Sequence, residues 1–250
     1  GGMSSEHEVS RVSVGNFVNN IDRTKYEVLA VGITKEGRWL YTEATAAQMA
    51  DGSWEQLAGN MPCILSPDRA DHGMVLFTPE GHVEKIHVDV VIPVLHGLWG
   101  EDGTVQGLLE LAGIPYVGCG VLASAACMDK AVANALFEAN DIPHTKWLAA
   151  NRWQIESDLE GVCAGVEAKL GWPVFVKPAN AGSSVGISKV SKRPSHWLWK
   201  TTARWCLKPL WTARKWNVPS SAPTPPWPPV RARSWPVLSS TPTMTNTRTA

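Results

Sequence analysis

An abrupt change in composition at residue 194 constrains this chain more than any other feature of its sequence. No Asp or Glu occurs in residues 194–250, so all 23 acidic residues precede them. The same segment contains 10 of the 18 prolines and 7 of the 13 tryptophans. It has neither helical nor strand periodicity, and such runs do not build a core. We therefore expect residues 194–250 to form a non-native, disordered tail and residues 1–193 to encode the fold.

The charge and the cysteines place the chain among ordinary cytosolic proteins. Residues 1–193 carry 15 basic and 23 acidic side chains, whereas the tail carries eight basic ones, so the overall balance of zero conceals two unlike parts. The five cysteines are scattered and form no C-x-x-C pair, which argues against a disulfide framework or a zinc site. No apolar run approaches the roughly 20 residues that cross a bilayer. We expect a cytoplasmic protein with no membrane partner.

Helical and strand patterns alternate along the first 193 residues. A capping box of Ser5 and Glu8 predicts a helix near the N-terminus. Further helices are predicted at residues 104–112, 124–139 (with Ser124 as N-cap) and 153–170, and strands at 26–34, 87–96, 173–178 and 187–190. This alternation predicts an α/β protein with a mostly parallel sheet, in which residues 87–96 form a central strand buried on both faces. We expect an N-terminal domain at 1–121 and a second, partial domain at 122–193.

Two polar segments are candidates for substrate contacts. Residues 1–10 (GGMSSEHEVS) place glycines before a helix start, where exposed amides suit an anion, although Glu6 and Glu8 also fit simple compensation of the helix dipole. Residues 94–107 (VLHGLWGEDGTVQG) follow an apolar run, where open α/β sheets place ligands. His96, Glu101 and Asp102 are the candidates there, and a surface turn with a capping Asp is the alternative.

Two lysines are candidates for phosphate contacts. Lys130 lies early in a helix, where a single lysine is more often simply solvated. Lys177 ends an apolar strand, and the small-residue loop at 181–186 (AGSSVG) follows it. Backbone amides in such a loop can hold phosphate and a strand-borne lysine can add charge, but the loop is neither a Walker A motif nor G-x-G-x-x-G.

Taken together and in this order, these segments resemble the D-alanine–D-alanine ligases of the ATP-grasp superfamily. The stretches that carry the resemblance are SSEHEVS, HG-WGEDGTVQGLLELAGIPYVGCGVLASA-CMDK and WPVFVKPANAGSSVGISKV, within residues 1–193. The resemblance implies an N-terminal α/β domain, the first part of an ATP-grasp domain, and use of ATP and Mg²⁺ to join two D-alanines through an acyl phosphate. It also implies a cytoplasmic enzyme of peptidoglycan synthesis, often a homodimer, with no nucleic-acid partner.

The resemblance also assigns residues to roles. Glu6 would hold the ammonium group of the first D-alanine, and Ser183 would lie over the reacting groups, hydrogen-bonded towards Glu6. His96 and Glu101 would contact the substrate. The remaining residues would bind the nucleotide phosphates: Lys130, Lys177, Gly182 and Ser184. The family's metal ligands have no match in this sequence, so no metal-binding residue is predicted.

The ends of the chain depart from the family pattern. Family members begin with an apolar strand before the Gly-Gly turn, where this chain starts. Residues 216–222 and 240–248, read one base to the 5′ side, permit VECAVLG and FYAYDDKYA, which resemble the family's continuation. We therefore interpret the sequence as frame-shifted after about residue 193 and expect the chain to be inactive. The alternatives are a non-catalytic fragment, a ligase using D-lactate or D-serine as second substrate, and a protein with a genuine basic tail that binds nucleic acid or membrane.

Overall fold

Two antiparallel sheets and the helices beside them organise the protein in the computed structural model. The structure describes residues 1–182, 184–191 and 204–209. All of these fall within one compact unit, Gly1–Leu210, and the remaining unit, Trp211–Ala250, lies outside the described residues. The predicted mixed α/β class is confirmed, while the predicted boundary at residue 121 stays a prediction.

The helices and strands of the described residues have the following bounds. The helices are α1 (His7–Asn20), α2 (Ala46–Asp51), α3 (Thr104–Ala112), α4 (Val121–Met128), α5 (Lys130–Ala139), α6 (Arg152–Ser157) and α7 (Leu159–Lys169). The strands are β1 (Ala30–Ile33), β2 (Trp39–Thr42), β3 (Met61–Leu65), β4 (Gly73–Phe77), β5 (Val83–His87), β6 (Leu148–Asn151), β7 (Val174–Pro178), β8 (Ser188–Val190) and β9 (Arg204–Pro209). None of the described helices has the length and apolar character required to cross a membrane.

The first sheet is an antiparallel meander in the order β1-β2-β3-β4-β5. Met74 and Leu76 of β4 are 2 % exposed and pack with Cys63 of β3, so the middle of the sheet supplies a core. The prediction of a mostly parallel sheet is wrong for this part of the chain, because each strand pairs antiparallel with the next one along the chain. Short connections favour such pairing at β1–β2, β3–β4 and β4–β5, whereas α2 lies between β2 and β3.

Residues 87–96 do not form the predicted central strand. His87 ends β5, and the described residues after it in this run make one isolated parallel bridge, between Val91 and Tyr116. Val90 and Ile92 remain 41 % and 36 % exposed, so the run is not buried on both faces. Its apolar composition was misleading because β-branched residues favour extended backbone whether or not a neighbouring strand pairs with it.

The second sheet has the order β6-β9-β7-β8, again with antiparallel ladders. Val174 and Val176 of β7 alternate towards the helical pair α6 and α7, where they meet Val166 and Leu207 in one core cluster. Leu207 belongs to β9, which Arg204–Pro209 form. The prediction that residues 194–250 lack secondary structure is therefore wrong for these six residues. Successive side chains of RWCLKP can alternate between the two faces of a sheet, as in any strand. The hydrogen bonds that pair strands are made by the backbone and do not depend on which side chains are present.

Two predicted long helices are each broken at an aspartate. The predicted helix at 124–139 divides at Asp129, whose backbone is extended and whose side-chain Oδ1 caps α5 by accepting from the amides of Ala131 and Val132. The predicted helix at 153–170 divides at Asp158, which accepts from Gly161 and caps α7. Asp side chains bind nearby amides and so compete with helix continuation. Ser124 is not an N-cap but lies inside α4.

Candidate active site

The buried carboxylate of Glu6 lies where two glycine-containing loops meet. Glu6 immediately precedes α1 and is 5 % exposed. A Cβ atom added at Gly97 would lie 2.6 Å from Glu6 Oε2, and one added at Gly182 would lie 3.0 Å from Glu6 Cδ and closer still to Oε2. Only glycine allows both backbones to approach this carboxylate so closely. The turn after His96 and the loop after β7 therefore converge on one acidic group.

Serine hydroxyls fasten the His96 turn to the start of α1. Ser4 Oγ donates to the carbonyl of His96 at 2.8 Å and accepts from the amide of Glu6 at 3.0 Å. Ser10 Oγ accepts from the amide of His96 at 2.9 Å. Helix α1 begins at His7, so the predicted Ser5–Glu8 capping box is wrong. Ser4, one residue earlier, supplies the oxygen instead.

The imidazole of His96 lies between a hydroxyl and a carboxylate. Its Nε2 is 2.8 Å from Ser13 Oγ, and its Nδ1 is 3.9 Å from Glu101 Oε1. The other oxygen of Glu101 accepts from the Gly97 amide at 2.6 Å. Glu101 thus orients both the turn and the ring, which brings together the two residues predicted to contact substrate.

Asp102 follows the alternative interpretation of a turn-capping residue. Its carboxylate accepts from the amides of Trp99 at 2.9 Å and Thr104 at 3.0 Å. Burial by itself would raise the pKa of this carboxyl, but these hydrogen bonds lower it overall. Its oxygens therefore cap the turn that leads into α3.

Lys130 connects the start of α5 to the loop after β7. Its amide donates to the carbonyl of Ala179 at 2.9 Å, and its Nζ donates to the carbonyl of Ala181. Burial lowers the pKa of the Lys130 ammonium, and the positive charge of Lys177 lowers it further. Lys130 is therefore a partly desolvated cation rather than a solvated surface lysine.

A cavity of about 210 Å³ lies beside this loop. It is lined by Lys130, Lys177, Pro178, Ala181, Gly182, Ser184, Val185 and Ile187. The four residues predicted to bind phosphate thus surround one space. Ser184 has a positive φ of 62°, and the Val185 amide donates to the Gly182 carbonyl at 3.0 Å, so the loop turns tightly here. Ser183, predicted to lie over the reacting groups, is outside the described residues.

A second and larger cavity does not coincide with the predicted site. It measures about 410 Å³ and lies against α6 and α7, where none of the predicted residues line it. Within residues 1–182, 184–191 and 204–209, no group of three or more His, Cys, Asp or Glu side chains is arranged to hold a metal ion. The Mg²⁺ expected from the resemblance stays a prediction.

The serines that position His96 were missed from the sequence, although a signal for them exists. Glu6, Ser10 and Ser13 stand at spacings of four and three residues, so one face of α1 carries all three. Such a polar face on a partly buried helix indicates a site rather than a core contact. Only the fold reveals that His96 lies against it.

Comparisons with known proteins agree with this geometry. Profiles of two families match, the "D-ala D-ala ligase N-terminus" over residues 1–119 and the "D-ala D-ala ligase C-terminus" over residues 136–196. The D-alanine–D-alanine ligase of Ruminiclostridium cellulolyticum is 48 % identical over 202 residues, which are 78 % of this chain and 54 % of that protein. That of Caldicellulosiruptor bescii is 49 % identical over 193 residues, 77 % and 52 % of the two chains. The chain thus spans about half the length of the curated relatives it matches.

Solved structures show the same relationship. VanG D-Ala:D-Ser ligase from Enterococcus faecalis superposes with a TM-score of 0.71 at 34 % identity, covering 84 % of this chain and 60 % of that one. The D-alanine–D-alanine ligase from Coxiella burnetii gives 0.70 at 29 % identity, covering 84 % and 61 %. The resemblance found in residues 1–193 is confirmed, since the family matches end at residue 196. By sequence and by fold, the chain belongs to the D-alanine–D-alanine ligase family.

Proposed function

We propose that the cleft formed by Glu6, the His96 turn and the loop at 179–186 is the D-alanine and ATP site of a D-alanine–D-alanine ligase. The observation that carries this proposal is the convergence of two loops on Glu6, with Lys130 and Lys177 lining the cavity beside the same loop. A buried acid suits an ammonium group, and a lysine-lined cavity suits phosphate. The family relationship supplies the reaction that unites these two ligands.

The proposal gives each side chain a role. The Glu6 carboxylate binds the ammonium group of the first D-alanine, while His96 and Glu101 lie towards its carboxylate. Lys130, Lys177, Gly182 and Ser184 hold the nucleotide phosphates. The resemblance implies that Ser183, which is outside the described residues, would lie over the reacting groups. A carboxylate oxygen of the first D-alanine then attacks the terminal phosphorus of ATP and releases ADP. The amine of the second D-alanine attacks the resulting acyl phosphate and displaces inorganic phosphate.

The protein's contribution to this chemistry is positioning and charge. Phosphoryl transfer requires cations and amides directed at the oxygens on which charge accumulates. Lys130 and Lys177 supply cations to the cavity that the turn at 182–187 helps to line. Mg²⁺ from the family pattern would add charge neutralisation at the phosphates, and it enters the proposal from the resemblance alone.

Substitution of Glu6 tests the site without requiring turnover. We expect Glu6→Gln to weaken D-alanine binding at least tenfold, because a charged hydrogen bond is worth roughly 1.5–3 kcal/mol, while ATP binding stays within about threefold. Glu8→Gln is the matched control, since Glu8 lies on the same helix but is exposed and paired with Lys35. Isothermal titration of each variant provides the measurement. Equal loss in both variants, or none in Glu6→Gln, would contradict the site.

Turnover is measured separately with Mg-ATP and D-alanine. The sequence predicts that this chain releases no phosphate above background, and dipeptide formation followed by mass spectrometry would show that prediction to be wrong. Binding of both ligands without turnover identifies the non-catalytic fragment considered from the sequence. The homodimer and the cytoplasmic location expected from the resemblance remain predictions.

D-Serine is the second candidate for the attacking amino acid. The observation in its favour is the structural similarity to VanG, a D-Ala:D-Ser ligase. D-Lactate stays an alternative from the sequence. Parallel assays with D-alanine, D-serine and D-lactate as second substrate distinguish the three, because each product has its own mass.

A further inference from the structure

One face of the second sheet carries lysines from two different strands. In the antiparallel ladder between β7 and β9, Lys177 stands opposite Cys206 and Phe175 stands opposite Lys208. Side chains two residues apart share a face, so Lys177 and Lys208 are diagonal neighbours about 7–8 Å apart at the Cα atoms. Lys208 therefore lies on the face of the sheet that carries Lys177.

A buried asparagine of α5 connects this face to Lys130. Asn134 is 3 % exposed, and its Oδ1 accepts from Lys208 Nζ at 3.1 Å. Its Nδ2 donates to the carbonyl of Lys130 and lies 3.6 Å from Cys206 Sγ. Asn134 thus bridges the strand that bears Lys208 and the helix turn that bears Lys130.

The local charge around these side chains is positive. Burial raises the pKa of the Cys206 thiol against the opposing effect of the lysines, so the thiol stays neutral at physiological pH. The Asp129 carboxylate accepts from two amides at the start of α5. Three ammonium groups thus lie around one region, near the carboxylates of Asp129 and Glu6, which both act on Lys130. Like charges this close are unfavourable without an anion to offset them.

We propose that Lys208 of β9 is a third cationic ligand, beside Lys130 and Lys177, for a chain of condensed phosphates. A triphosphate distributes its charge over linked phosphoryl groups and can satisfy three separate ammonium groups, which a single carboxylate cannot. The inference rests on the proposed function, because Lys130 and Lys177 line the cavity proposed there for the phosphates, and Lys208 lies on the same sheet face as Lys177. The inference goes beyond the proposed function, because Lys208 lies outside the residues that the family profiles match. The ligand is either a nucleoside triphosphate or inorganic triphosphate.

Titration of the full chain with ATP and with sodium tripolyphosphate tests the proposal. We expect Lys208→Gln, which keeps an N–H donor for Asn134, to raise the Kd about tenfold for whichever phosphate binds. Lys208→Arg, which keeps the charge, is expected to stay within about threefold. Lys146→Gln, an exposed lysine of the same half of the molecule, is the control and is expected to bind as the parent chain does. Binding of tripolyphosphate identifies the phosphate chain as sufficient, and binding of ATP alone identifies a nucleoside triphosphate.

A second measurement does not depend on whether the variants fold. Limited acetylation of the parent chain, with and without tripolyphosphate or ATP, is read at each lysine by mass spectrometry. Protection of Lys208 together with Lys130 and Lys177 is the expected result. Protection of the latter two without Lys208, or an unchanged Kd in Lys208→Gln, overturns the inference and leaves the proposed function standing. Failure of the parent chain to bind either phosphate overturns both.

Discussion

At the scale of single residues, the Glu6 carboxylate lies against the backbone of two glycines, Gly97 and Gly182. Gly182→Ala places a methyl group against the Glu6 carboxylate, which is buried and has little room to move. We expect it to lower the free energy of unfolding by about 1–3 kcal/mol, the usual range for overpacking, and to weaken D-alanine binding. Thermal unfolding and titration calorimetry measure the two effects.

Gly107→Ala supplies the opposite case in the same chain. Gly107 lies inside α3, and a Cβ added there meets no atom within 4 Å. Alanine in a helix interior is favoured over glycine by about 0.5–1 kcal/mol, so this variant is expected to gain stability. If both substitutions changed stability in the same direction, close packing against Glu6 would not be the reason for glycine at 182.

Residue types in the site could be predicted better than their partners. The sequence predicted site roles for Glu6, His96, Glu101, Lys130 and Lys177, and those roles stay predictions, although the structure brings these residues to adjoining parts of one region. The hydroxyls that hold His96 were not identified, because the spacing of Ser10 and Ser13 marks a polar helix face but does not indicate a partner more than 80 positions away. Long-range hydrogen bonds become visible only with the fold.

At the scale of elements, Asp129 determines where α5 begins and therefore where Lys130 points. Asp129→Ala removes an N-cap that accepts two amides, and we expect a loss of about 0.5–2 kcal/mol in unfolding free energy. ATP binding is expected to weaken as well, because Lys130 is the first residue of the capped helix. Denaturant unfolding and ATP titration measure the two quantities.

Asp158→Ala is the control for this substitution, since it removes the equivalent cap of α7 away from the lysine cavity. A similar loss of stability with unchanged ATP binding is expected. Weakened ATP binding in both variants would mean that general destabilisation, not the position of Lys130, controls nucleotide affinity.

The strand β9 makes a stability prediction of its own. Leu207 is 1 % exposed in the core that Val174, Val176 and Val166 complete. Leu207→Ala is expected to cost about 2–5 kcal/mol, as buried leucines do, whereas Leu122→Ala, at a side chain 83 % exposed, is expected to change little. Chemical denaturation compares the two, and equal stabilities would place Leu207 outside the core.

The bounds of an element were predicted correctly from the sequence where a local signal determined them. Helix α3 has the predicted bounds, because Gly113 ends it in a left-handed conformation. The predictions for residues 87–96 and for β9 were wrong in opposite directions. The apolar run was predicted to be a central strand but forms one isolated bridge after His87, whereas the Trp- and Lys-containing segment β9 was predicted to lie in a disordered tail but pairs with two strands. Pairing is a tertiary property, so composition alone decided neither case.

At the scale of the whole molecule, sequence similarity to the family stops close to the change in composition. The family match ends at residue 196, and no acidic residue occurs from residue 194 onwards. The frame-shift interpretation predicts such a limit, because a shifted frame replaces side chains without removing backbone. We expect the coding DNA near codons 190–196 to contain a single-base insertion or deletion. An intact frame there would establish the tail as a genuine sequence.

The central position of β9 also bears on how this protein behaves in solution. Without it, β6 and β7 would each present a row of amide and carbonyl groups to any other chain with an extended segment. The six residues of β9 pair with both strands and satisfy these groups within the chain. We therefore expect β9 to protect the protein against self-association.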